Sequence, residues 1–125
     1  MSIMMSGGYM NLLLRRATMD DAGLLFDWRN NIETRAYSAN HHTITWNEHI
    51  AWLSRSLENH NRILCIAEAS GNPVGTMRAD KNQDGSFAIS YTVAPFSRGK
   101  GVGKQMALQF ADEMLSGRRI MAKIR

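Results

Sequence analysis

The residues best placed to do chemistry stand together in Ser97-Arg98-Gly99-Lys100-Gly101-Val102-Gly103-Lys104, where glycines and cations precede an apolar stretch of helical period. A helix N-terminus leaves its first N–H groups without intrahelical partners and carries a partial positive charge. Glycines in front of it let the backbone come close to an anion, because no Cβ stands in the way. Together these features make a phosphate cradle; a plain tight turn is the alternative. The Walker form of phosphate loop is excluded because Gly103-Lys104 is followed by Gln105, which offers no hydroxyl to magnesium. The dinucleotide form fails at its third glycine and stands late in the chain instead of early. A third form, Arg/Gln-x-x-Gly-x-Gly/Ala, is matched at every position from Arg98 to Gly103.

Groups able to move protons are scattered: His49, Glu68 and Tyr91, together with Glu48 and the adjacent His41-His42. Any of them could act as a general acid or base, and no one of them is singled out as catalytic. The His41-His42 pair lies in a polar stretch and also reads as a solvent-exposed loop. Glu48 stands three residues after Thr45, which is capping-box spacing. Cys65 is the one cysteine, so no disulfide can form within the chain. Without a CxxC or Cys/His zinc spacing, no metal is expected. Its setting, Ile-Leu-Cys-Ile-Ala-Glu-Ala, is that of a buried strand.

The elements that must position these groups follow from periodicity and punctuation. Residues 11–18 read as a first strand, and Thr18 then caps a helix with Asp20 and Asp21 in its first turn, running to about Asn30. A polar, irregular loop separates it from a second helix capped by Thr45, in which Trp46, Ile50, Leu53 and Leu57 repeat at helical spacing. Arg62–Ala69 is too short for a typical helix and reads as a strand, followed by a Ser-Gly-Asn-Pro turn. Residues 74–80 and 86–94 are two more strands joined by a hairpin at Asp84-Gly85. A third helix follows the glycine run, with Met106, Phe110 and Met114 on one stripe and Gly117 as its stop, and residues 118–125 form a last strand. The order β-α-α-β-β-β-α-β predicts an α/β (α+β) sheet, mostly antiparallel, flanked by helices.

The hexapeptide from Arg98 to Gly103, set between the strand ending in Val-Ala-Pro-Phe-Ser and an apolar helix, resembles the pyrophosphate loop of the GCN5-related N-acetyltransferase (GNAT) superfamily. The resemblance covers residues 12–125 and implies a single acetyl-CoA-binding domain that moves an acetyl group to a primary amine. It implies that loop N–H groups of Arg98, Gly99, Lys100, Gly101, Val102, Gly103 and Lys104 hold the pyrophosphate. It further implies that Tyr91, Thr92 and Val93 bind the pantetheine arm, with an N–H near Val93 polarising the thioester carbonyl. Two segments, Phe-Asp-Trp-Arg-Asn-Asn-Ile-Glu-Thr-Arg-Ala-Tyr and Trp-Asn-Glu-His-Ile-Ala-Trp, are similar to two branches of that superfamily. One acetylates N-terminal residues of ribosomal proteins and the other an amino group of a nucleotide-linked sugar in pseudaminic-acid synthesis. The nucleotide-sugar branch is the nearer, and it implies Trp28, Arg29, Asn30, Arg35, Tyr37, His41 and His42 beside the acceptor. Two departures stand against the pattern: Ala88 occupies the position of a Glu that many relatives use as base, and the family's C-terminal helix and strands do not follow residue 125. A non-catalytic CoA-binding module is therefore a competing expectation.

A chain of 125 residues with 44% hydrophobic and 21% charged residues is one globular domain, with residues 1–11 expected as a flexible leader. The net charge of +4 is concentrated after Arg98, which suits an anionic ligand or a solvated basic face. No nucleic-acid module pattern accompanies it, so no nucleic acid is expected as partner. The sequence lacks a run of membrane-spanning length, so the expected setting is cytoplasmic, with no membrane partner. An open sheet edge would invite self-association, so a homo-oligomer is expected.

Overall fold

The computed structural model describes residues 11–31, 43–99, 101–115 and 120–122. Most of the leader and Gly117 lie outside them, as do Arg35, Tyr37, His41, His42 and Lys100. The elements are β1 (Leu12–Arg16), α1 (Ala22–Asn30), α2 (Trp46–Glu58), β2 (Arg62–Ala69), β3 (Asn72–Lys81), β4 (Phe87–Val93), α3 (Val102–Met114) and β5 (Ile120–Ala122). Their order is the one the sequence predicts. The strands form one sheet in the order β1-β2-β3-β4-β5. The first three pairings are antiparallel and the last, β4 with β5, is parallel. A parallel neighbour cannot be reached by a tight turn, so α3 serves as the crossover between the two.

Period-2 alternation divides the sheet's side chains between two cores. Leu14, Cys65, Met77 and Ile89 face α3 and meet its Val102, Met106 and Phe110. Leu64 and Ile66 face the other way, onto Leu25 and Trp28 of α1 and Leu53 of α2. Strand β2 is therefore covered on both faces, which accounts for its unbroken apolar run. Burial pushes the Cys65 thiol up to about 11, so it is a packing group with no access to nucleophilic chemistry.

Both helix starts are fixed locally. Thr18 and Asp21 make a reciprocal capping box around the 3₁₀ turn Met19–Asp21 that leads into α1. Thr45 and Glu48 do the same for α2. The buried face of α2 differs from the predicted stripe. It is His49, Leu53 and Ser56, while Trp46 remains 46% exposed. The helix is rotated so that the His49 imidazole reaches the backbone of α1.

Candidate functional site

The pairing of β4 with β5 is short, joining only Phe87, Ile89 and the residue between them to Ile120–Ala122. Beyond Ile89, among the described residues, the outer edge of β4 has no strand beside it. Ala94 N–H donates to the Val74 carbonyl at 2.8 Å, which sets the phase of the antiparallel β3–β4 ladder. Alternation along that ladder then turns the N–H and C=O groups of Tyr91 and Val93 away from β3, toward the open edge. Arg98 Nε donates to the Val93 carbonyl at 3.1 Å, tying the side chain of the loop to this edge.

The chain passes from β4 through the turn Pro95–Ser97 into the glycine run. Gly99 and Gly101 have φ of 80° and 74°, and a Cβ at either would meet no atom within 4 Å. The space in front of α3 is thus open, and Gly101 starts the helix in a left-handed conformation that disfavours other residues. Gly103 has a different task. A Cβ there would lie 2.6 Å from Tyr91 Cε1 and 3.1 Å from Val93 Cγ2. Its missing side chain lets α3 press onto β4, and an acidic substitution there would disturb packing as well as anion binding. The residues present fit an extended arm along the Tyr91–Val93 edge that ends in a diphosphate at the start of α3. Lys104 lies exposed on the first turn of α3 and adds charge there.

On the α1/α2 side of the same strand lies a cavity of about 220 Å³, lined among others by Trp28, Arg29, Trp52, Arg78, Ser90 and Tyr91. Trp28, Arg29 and Tyr91 are legible in the sequence. Trp52, Arg78 and Ser90 are not, although alternation on β3 and β4 puts Thr76, Arg78, Ser90 and Thr92 on one face.

Arg29 is held from two sides. Its Nη1 donates to His49 Nδ1 at 3.0 Å, and its Cζ lies 4.1 Å from the centre of the Trp52 ring. Because the guanidinium can only donate, Nδ1 must accept, so the proton sits on Nε2 and is donated to the Ala22 carbonyl at 2.8 Å. Burial, with Arg29 next to it, moves the His49 pKa below its ordinary value. His49 is therefore a neutral, fully buried residue that positions Arg29. Asn30 donates to the Ile44 carbonyl at 2.9 Å and accepts from Ile44 N–H at 2.7 Å. Its amide closes the chain's return to α2, and its hydrogen-bonding capacity is largely used there.

Glu68 lies elsewhere. Its carboxylate accepts from Arg15 Nε at 2.9 Å, and Arg15 also makes a bidentate pair with Asp21 at 2.8 and 2.9 Å. The Arg15 guanidinium holds the Asp21 carboxyl below the usual carboxylate range. This network joins β1, β2 and the start of α1. Of the three proton-transfer candidates, Tyr91 stands at the border of the cavity, but its ring packs beside Gly103 of α3 on the other face of the sheet, and His49 and Glu68 are engaged as described. No group of three metal-ligating side chains occurs among the described residues, and no described helix is long and apolar enough to cross a membrane.

The described fold is thus a mixed sheet with a short parallel pairing, an open β4 edge and a glycine turn at the start of the next helix. Residues 11–125 match the model of the acetyltransferase (GNAT) domain family, and the chain belongs to that family. The predicted reaction class and cofactor, N-acetyl transfer from acetyl-CoA, are those of the family. Among solved structures, an acetyltransferase from Thermus thermophilus superposes with TM-score 0.76 at 22% identity, over 89% of this chain and 74% of that one. Spermidine N-acetyltransferase from Vibrio cholerae, in complex with CoA and spermine, gives 0.75 at 19% identity, over 89% and 69%. A ribosomal-protein-alanine N-acetyltransferase from Brucella melitensis gives 0.69 at 21% identity, over 88% and 72%. At these identities the likeness is one of fold. No curated protein matches the sequence significantly.

Proposed function

We propose that this chain transfers the acetyl group of acetyl-CoA to the primary amine of a nucleotide-linked amino sugar. The observation that carries the reading is the juxtaposition of the open Tyr91–Val93 edge, the glycine turn that follows it, and the Trp28–Arg29–Trp52 cavity on the same strand. Bound acetyl-CoA supplies an activated acetyl thioester. Val93 N–H, directed at the open edge, would be the donor to its carbonyl, and Arg98 and Lys104 with the loop N–H groups would hold the pyrophosphate. The attacking amine must be neutral, and no carboxylate lines the cavity among the described residues. Its proton would be taken up by water. The thiolate released from CoA would take up its proton from water.

Calorimetry with acetyl-CoA, followed by free-thiol release with nucleotide-linked amino sugars, free amino sugars and peptides, tests this. Saturable binding and acceptor-dependent release with the nucleotide sugars are expected. Release with peptides alone would move the chain to the protein N-terminal branch. Absence of acetyl-CoA binding would sink the assignment.

A further inference from the structure

We infer that Arg29 selects the acceptor, and that the acceptor carries a carboxylate or phosphate close to its amine; this rests on the cavity being the acceptor site proposed above. Two guanidinium groups, Arg29 and Arg78, line the cavity, and no acidic side chain does so among the described residues. The two differ in kind. Arg78 Nε lies 3.1 Å from Asp80 Oδ2, and Asp80 Oδ1 also accepts from Arg62 at 2.6 Å. Arg29 has no carboxylate within ion-pair distance among the described residues. Among the described residues Glu48 acts on it electrostatically, and one oxygen of that carboxylate accepts from the Thr45 N–H and hydroxyl, each at 2.9 Å.

Arg29 is nevertheless not a loose surface cation. The ring of Trp52 and the Nδ1 lone pair of His49 fix its plane, and His49 is itself anchored on Ala22. Neither partner carries a negative charge. A half-buried guanidinium held in one orientation without a counter-charge is an anion receptor, since its planar fork matches carboxylate and phosphate oxygens. Burial and the neighbouring Arg78 both disfavour its charged form, and the charge of an arriving anion offsets them. The same two cations repel an acceptor that carries further ammonium groups. A cavity of about 220 Å³ holds roughly seven waters' worth of volume, so anion and amine belong to one small end of the acceptor.

The test is binding followed by tryptophan fluorescence, because Trp28 and Trp52 line the cavity. Matched amines differing in one charge are titrated: glucosamine 6-phosphate against glucosamine, an amino acid against its amide, and spermidine as a polycation. One charge-assisted bidentate contact predicts a preference of about 10- to 100-fold for the anionic member. The phosphate and carboxylate pairs show which anion is used. In Arg29→Gln the preference collapses toward unity, and Arg29→Lys restores part of it, with circular dichroism reporting the fold of each. Equal affinity across both pairs, tighter binding of spermidine, or a preference that survives in Arg29→Gln would overturn the inference. These readings need no turnover, so a failure of acetyl-CoA binding or thiol release would defeat the proposed reaction separately.

Discussion

Replacement of Gly103 by alanine sets two effects of opposite sign against each other. Alanine in place of glycine within a helix is worth roughly 0.5–1 kcal/mol of stability. The new methyl, however, would stand 2.6 Å from Tyr91 Cε1 and 3.1 Å from both Tyr91 Cζ and Val93 Cγ2. Relief requires Tyr91 to move by close to an ångström, or α3 to lift off β4. Overpacking of that kind costs about 1–3 kcal/mol, so a net loss of about 0.5–2 kcal/mol is expected. Gly23, near the start of α1, is the control, because a Cβ there meets nothing within 4 Å. Gly23→Ala should be neutral or stabilise by up to about 1 kcal/mol. Urea denaturation of both variants gives the numbers. Tyr91→Leu in the Gly103→Ala background should recover part of the loss, with a coupling of about 0.5–2 kcal/mol in the double-mutant cycle. A Gly103→Ala protein as stable as Gly23→Ala, or a cycle with no coupling, would refute the close approach of α3 to β4.

Two further expectations concern single side chains. His49 is held neutral with its pKa below the ordinary imidazole value, so acidification below about 6.5 protonates the unfolded chain first and stability falls. The urea midpoint should drop between pH 7 and 5, and His49→Gln should lose that part of the slope; an unchanged slope would remove the buried neutral histidine from the account. Thr45→Ala removes the hydroxyl half of the α2 capping box, leaving the backbone N–H of residue 45 to donate to Glu48, and should cost about 1 kcal/mol, read by thermal unfolding.

Where local chemistry decides the structure, the sequence is a sufficient guide. Thr18 and Thr45 cap the helices that follow them, as expected, because a hydroxyl and an acid three residues on act within one turn. Arg62–Ala69 is a strand with the bounds its apolar run suggests. The face of α2 departs from expectation because His49 looks polar in sequence and Trp46 looks like core. An imidazole can be buried when both its nitrogens find partners, and those partners, Arg29 and the Ala22 carbonyl, are 20 and 27 residues away in the chain.

The sequence by itself determined the order of elements, their caps and the glycine turn before α3, since each depends on a few neighbouring residues. The tertiary structure alone decided what the glycines are for. Gly99 and Gly101 face open space, whereas Gly103 yields its place to Tyr91, a distinction that exists only once α3 lies on β4. It likewise decided that Asn30 is used up on Ile44, that Glu68 belongs to the Arg15 network, and that Arg29 meets Arg78 and Trp52 in one cavity. Those meetings join residues far apart in the chain, and no local preference encodes which of them will face each other.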